Sequence, residues 1–218
     1  ITYRWEFDDG TTSTQQTPPP SVFFQPGQHV VRLIVTDAQG LIGQSEFTVT
    51  VDPILIVDGI TVTNNSTGTL FYSSAVITNG GILRAATQVP LDLFVTNTVF
   101  IGTNALIDAT GQGYGAASVA SDRGDGPGGG PSGAMLNIPG AGGAGGSYGG
   151  LGGFEQGGNR SALGPVYGSF SEPSDFGSGG GRGGGGYDPA GSGGGWIKIR
   201  AHVLQIDGTI AADGGSAS

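Results

Sequence analysis

Of the 46 glycines in this 218-residue chain, 34 lie between positions 111 and 195. A segment with so little side-chain volume cannot build an apolar core, and ordering glycine costs more backbone entropy than ordering any other residue. It must satisfy its backbone N–H and C=O groups by some other arrangement or remain disordered.

The glycines are phased. From Gly140 the sequence reads GAG GAG GSY GGL GGF, which places glycine at Gly140, Gly143, Gly146, Gly149 and Gly152 and sets Tyr148, Leu151 and Phe154 three positions apart. The same step recurs at Gly177, Gly180, Gly183 and Gly186. A period of three fits neither an α-helix nor a β-strand. It fits polyproline II, with three residues per turn and no internal hydrogen bonds. Bare glycine faces would let such helices approach until their backbones bond one another. The bulky row is expected at the rim, where the bundle meets the strands around it, and fifteen residues would span about 45 Å. Collagen does not fit, because the register breaks after five triplets. A flexible glycine-serine linker is the competing reading, although linkers seldom carry aromatics in phase.

Residues 1–52 alternate apolar and polar in ITYRWEF, RLIVTD and FTVTV, with turn signals at Asp8-Asp9-Gly10 and Asp37-Ala38-Gln39-Gly40. This is the pattern of half-buried antiparallel strands. Tyr3-x-Trp5-x-Phe7-x-Asp9-Gly10, followed by Pro26-Gly27-x-x-x-Val31-x-Leu33-x-Val35-x-Asp37-x-x-Gly40, resembles the PKD domain, an immunoglobulin-like module of extracellular and cell-surface proteins. The resemblance implies a β-sandwich over 1–52 that lacks its first strands. Either trimming removed them or another chain supplies one, and the absence of a leader before Ile1 is expected to reflect processing or trimming. Asp8 and Asp9 are the candidate calcium ligands, with turn formation as their competing role; no other cofactor is expected.

From 53 to 110 short apolar runs are broken by Asn, Gly and Thr. Val76–Ala85 recurs 24 residues later as Phe100–Ala109, and a shortened copy stands at Leu204–Ala212. Repeats of this length suggest coils of a β-solenoid, with a second sandwich as the alternative. If the third copy stacks on the other two, the glycine block is an insertion between neighbouring coils. The expected organisation is an all-β chain: a PKD-like sandwich over 1–52, solenoid-like strands over 53–110, a glycine-rich polyproline II insert over 111–195 and returning strands over 196–218.

GGGRGGGG and GSGGGWIKI, which contains Trp196, resemble in composition the glycine-rich extracellular region of the anaplastic lymphoma kinase family and the polyglycine helical bundle of an antifreeze protein. The resemblance implies an extracellular setting. Ice binding is not expected, because no flat Thr-rich or Ala-rich face is readable.

Seventeen acidic residues stand against eight basic ones, a net charge of −9, which disfavours nucleic acid and anionic membranes. No apolar run is long enough for a membrane-spanning helix. There is no cysteine, no HExxH, no GxSxG and no P-loop, and His29 and His202 fall in strand patterns. Asp122, Asp125, Glu155, Glu172 and Asp175 are the carboxylates that could meet in space, but too few coils are present to form a catalytic groove. Arg123-Gly124-Asp125 spells the integrin tripeptide, a chance match in such a segment. Tyr148, Phe154, Tyr167, Phe170, Tyr187 and Trp196 could stack on sugars, with internal packing as their commoner role.

The expectation is a non-enzymatic, extracellular or cell-surface structural protein that forms or decorates a self-assembled fibre, sheath or adhesive appendage, with copies of itself as partners. The alternative is a carbohydrate-binding or spacer region of a secreted polysaccharide hydrolase. The structural residues are Trp5, Gly10, Asp37, Gly140, Gly143, Gly146, Tyr148, Gly149, Leu151, Gly152, Phe154, Gly180, Gly183 and Trp196.

Overall fold

The computed structural model describes residues 1–18, 26–119, 121–133, 142–153, 163–183 and 190–216, and every regular element among them is a β-strand. They fall into two units, Ile1–Ile54 and Leu55–Ser218.

In the first unit β1 (Thr2–Phe7), β2 (Thr12–Ser13), β3 (Gly27–Thr36) and β4 (Ile42–Val51) form an antiparallel sheet in the order β2-β1-β3-β4. Trp5 pairs with Leu33 and Leu33 with Ser45; Phe7 pairs with Val31 and Val31 with Phe47. Paired residues share a face, so Tyr3, Trp5, Phe7, Val31, Leu33, Val35 and Phe47 line one side. Arg4, Glu6, Arg32 and Glu46 line the other, where Arg32 Nε donates to Glu46 at 2.6 Å. The turns follow from their residues. Gly10 sits at φ 85°, and its N–H bonds Phe7 O at 2.9 Å. Asp37 Oδ1 accepts from Gln39 N and Leu41 N, both at 2.8 Å. Among the described residues of this unit no second sheet lies against the aromatic face, and Val31 is its one buried hydrophobic residue.

The boundary falls after the first residue of β5 (Ile54–Asp58), and the second unit continues with β6 (Thr61–Asn64), β7 (Leu70–Tyr72), β8 (Ser74–Thr78), β9 (Ile82–Ala85), β10 (Leu91–Ile101) and β11 (Leu106–Asp108). It closes with β12 (Ile197–Ile206) and β13 (Thr209–Ala211). One sheet has the order β12-β10-β8-β5, with β7 also on β10; the other has the order β13-β11-β9-β6. The chain therefore runs through each sheet once per passage, with β7 and β8 together making the first-sheet side of the second passage, and each passage is a rung. The β10 pairs with β12, β8 and β7 are parallel, as are β11 with β13 and β9, and β6 with β9.

Pairing stacks like residues into columns. Ile77, Ile101 and Ile206 are in register, and so are Val62, Leu83, Ile107 and Ile210. The inward residues form one apolar cluster that includes Val57, Ile77, Leu83, Leu93, Val99, Ile101 and Ile107. The copies at Val76–Ala85 and Phe100–Ala109 align in register, Phe100 on Val76 and Ile107 on Leu83. The copy at Leu204–Ala212 aligns too, Gln205 on Phe100 and Ile210 on Ile107. A further copy, Ile54–Asn64, went unnoticed in the sequence; its Val62 pairs with Leu83 and its Asn64 with Ala85. Gly59, Asn79 and Asn104, at φ 64°, 53° and 64°, turn the chain between the two strands of their rungs, a left-handed conformation that glycine and asparagine tolerate. Because β12 and β13 lie directly on β10 and β11, the glycine-rich segment leaves and re-enters between two adjacent rungs.

Candidate functional site

The glycine-rich segment is ordered by its own backbone. Gly177–Arg182 runs through the middle of a set of extended segments. Gly177 N donates to Gly194 O and Gly180 N to Gly191 O, both at 2.9 Å, while Tyr114 N and Ala117 N donate to the carbonyls of the same two glycines at 2.9 Å. Between them Gly179 N bonds Asp125 O at 3.0 Å, and Gly179 O accepts from Gly130 N at 2.9 Å. Gly181 N bonds Ala144 O at 2.8 Å. Contacts to a given neighbour thus recur every three residues, and the central segment spends its donors and acceptors on several neighbours.

Glycine is required here for want of space. A β-carbon on Gly179 would lie 1.8 Å from Gly115 O, one on Gly143 1.8 Å from Gly181 O, and one on Gly146 2.1 Å from Ser178 O. Gly143 against Gly181 and Gly146 against Ser178 again advance by three. Where side chains do enter, they are small and bonded. Buried Ser178 accepts from Gly128 N at 2.9 Å and donates to Tyr167 OH at 2.9 Å. Buried Ser147 donates to Gly164 O at 2.8 Å and accepts from Gly152 N at 3.0 Å. No buried side-chain N or O among the described residues lacks a partner.

The expected bulky row does not persist as one straight run. Tyr148 N bonds Gly150 O at 3.1 Å, the chain turns, and Gly153 O returns to accept from Gly145 N at 2.8 Å. Gly152 therefore packs on Gly145, with a β-carbon position 2.0 Å from Gly145 O, and Leu151 points out at 62% exposure. Of the two described members of the row, Tyr148 is the one that packs. Its ring lies edge-on to Tyr167 at 5.1 Å, and its hydroxyl accepts from Ser174 N at 3.1 Å. Gly149 abuts Phe170, its β-carbon position 2.9 Å from Phe170 N, and Gly183 is buried. Gly140, Phe154, Glu155, Gly186 and Tyr187 lie outside the described residues. Tyr114 stacks edge-on with Phe176 and reaches Asp175 at 3.3 Å; burial, then the Asp175 carboxylate, push its phenol up.

Beside the bundle is a cleft of about 800 Å³. Its floor is the inward face of the last rung, with Ile197, Ile199, Leu204 and Ile210, and its wall is glycine backbone at Gly145–Gly146 and Gly191–Gly195. Trp196 lines it and is held by Nε1 donating to Pro173 O at 2.9 Å.

The other sequence candidates are accounted for locally. Asp9 Oδ1 accepts from Thr11 N and Oγ at 2.9 and 2.7 Å, bonds that with its Thr11 partner hold its carboxyl low, and Asp8 meets His29 Nδ1 at 3.0 Å. Trp5 Nε1 donates to Gln15 O at 3.1 Å. Among the described residues no three of His, Asp and Glu come together as a metal site would need. Arg123-Gly124-Asp125 is built into the bundle: Gly124 N bonds Gly130 O and Asp125 N bonds Gly115 O, at 2.9 and 2.8 Å. Sequence reasoning missed one aromatic pair, Phe71 and Phe94, whose rings are 5.6 Å apart on the outward face of β7 and β10 with the Arg200 guanidinium 5.2 Å from the Phe94 ring centre. The matching runs Leu70-Phe71-Tyr72 and Leu93-Phe94-Val95 were the signal.

Residues 1–51 match the PKD domain family. PKD domains are typical of extracellular adhesive and structural modules, and no helix among the described residues is long and apolar enough to cross a membrane. No curated protein and no solved structure matches the chain. The N-terminal unit is thus PKD-like, within a chain whose described elements are all β.

Proposed function

We propose that the chain is a non-enzymatic extracellular structural protein that builds or decorates a surface fibre, sheath or adhesive appendage through contacts between its own copies. In this reading the stacked rungs are coils of a parallel β-solenoid, and the glycine segment is a polyproline II bundle inserted between two of them. The three-residue step in the hydrogen bonds of Gly177 and Gly180 supports the second assignment.

One observation carries the reading: large apolar side chains stand at the surface of the first unit, Leu41 at 72% and Ile42 at 69% exposure among them. The aromatic face of the PKD-like sheet has no described second sheet in its unit, and Phe47 on it is 49% exposed. Such faces and edges are joints for assembly. Light scattering over a wide concentration range tests it. Mass growing above the 21.7 kDa of one chain supports the reading, and a monomer at every concentration contradicts it.

A second reading has its own observation. Phe71 is 64% exposed beside Phe94 and Arg200, an aromatic and polar combination suited to sugar rings. A monomeric chain retained on insoluble polysaccharide, with retention lost in Phe71→Ala, would favour an accessory carbohydrate-binding module.

A further inference from the structure

The two ends of the rung stack differ. At the β5–β6 end the inward residue Val57 is fully buried. At the β12–β13 end Leu204, Ile206 and Ile210 are 46%, 47% and 36% exposed, although their paired neighbours Val99, Ile101 and Ile107 are completely buried. Both β12 and β13 are edge strands, so each offers a row of backbone donors and acceptors on its outer side.

The pattern along β12 indicates what fits there. Its pairing with β10 slips between Val95 and Thr98, so that Ala201 opposes Val95 and Val203 opposes Thr98. The slip changes the alternation. Ile197, Ile199 and Ala201 face inward before it, and Leu204 and Ile206 after it. Read from either end, the strand begins with two large inward residues separated by one outward residue. A strand of this pattern can pair antiparallel with itself about a two-fold axis between Ala201 and His202. Ile197 then lies opposite the partner's Ile206, Ile199 opposite the partner's Leu204, and Lys198 opposite the partner's Gln205. No two like charges face each other directly, and on either side of the central pair, where Ala201 meets the partner's His202 at the slip, inward residues meet inward residues, as register in a half-buried sheet demands. A head-to-tail stack would instead set this open end against the β5–β6 end, where the inward Val57 is fully buried and Leu55 and Val62 are partly so, which leaves less inward surface to cover.

We infer that the β12–β13 end is a two-fold contact between two copies of this chain, in which β12 pairs antiparallel with the partner's β12. An isologous contact closes at a dimer. It therefore extends the fibre reading by naming one joint, while a fibre needs another elsewhere on the subunit; the contact itself stands whether or not fibres form.

The chain has no cysteine, so introduced ones report register directly. In the full chain K198C/Q205C is expected to give a disulfide-linked dimer under mild oxidation, reversed by reductant, whereas K198C alone is not. L204E/I206E, which charges two half-exposed positions, is expected to reduce the sedimentation mass from twice the 21.7 kDa chain mass to once. Cross-linking of K198C/Q205C supports the contact even if L204E/I206E fails to fold. Absence of the cross-link, or a wild-type chain that is monomeric with the rung covered by another protein or a carbohydrate, overturns it. The two readings fail separately: cross-linked dimers without filaments support the contact and contradict the fibre, and filaments that persist in folded L204E/I206E do the reverse.

Discussion

Ile101 and Ile206 occupy the same inward position on adjacent parallel strands, yet Ile101 is completely buried and Ile206 is 47% exposed. The apolar column that holds the rungs together continues to the last one and is left open there. Removing side-chain volume should therefore have very different effects at the two positions. Ile101→Ala is expected to cost about 2–5 kcal/mol of folding stability and Ile206→Ala about 1 kcal/mol or less in the dissociated chain. Chemical denaturation at low protein concentration measures both; equal losses would contradict an open last rung.

The glycine bundle makes a positional prediction. Gly146→Val drives a β-carbon into the Ser178 carbonyl, whereas nothing lies within 4 Å of a β-carbon on Gly150. The first change should loosen the segment and expose it to protease. Gly150→Ala should leave stability within about 0.5–1 kcal/mol of wild type. Limited proteolysis followed by mass spectrometry distinguishes them.

Ser178 links the backbone to the tyrosines, through Gly128 N on one side and Tyr167 on the other. Ser178→Ala leaves the Gly128 N–H buried without its acceptor, at a cost of about 1–3 kcal/mol. Thermal unfolding followed by tyrosine fluorescence should show the loss.

The second and third rungs are tied by Arg84 Nη2 to Asp108 Oδ2 at 2.7 Å, and Thr110 N donates to Asp108 Oδ1 at 2.9 Å. Burial pushes the Asp108 carboxyl up, but the Thr110 bonds and Arg84 outweigh it and hold it below the ordinary value of 3.8. A carboxylate depressed on folding contributes stability that is present above its unfolded value and lost as pH falls through the folded one. Stability should drop as the pH falls below about 4. Asp108→Asn should flatten that part of the profile and lower stability at neutral pH; an unchanged acid profile would rule out this carboxylate as a contributor.

Much of the strand architecture was readable because side chains marked it. Tyr3, Trp5 and Phe7 alternate with the charged Arg4 and Glu6, and the 24-residue spacing between Ile77 and Ile101 equals the length of chain between stacked positions. The rung at Ile54–Asn64 escaped notice because it shares with the others little beyond its Asp58-Gly59 turn and an inward valine. In the glycine segment the three-residue step was visible at Gly143 and Gly146, whose bare faces meet Gly181 and Ser178. The turn at 148–150 was not, because two consecutive glycines carry no side chain to signal where the chain reverses. The open end of the last rung was also illegible: Leu204, Ile206 and Ile210 look like core residues in the sequence, and their exposure depends on what pairs with them.

Negative-stain microscopy of the native chain, at several concentrations, tests the assembly reading most directly. The account predicts regular filaments or sheath-like arrays of a constant width that lengthen with concentration. A field of uniform, dispersed particles the size of one chain at every concentration would contradict it.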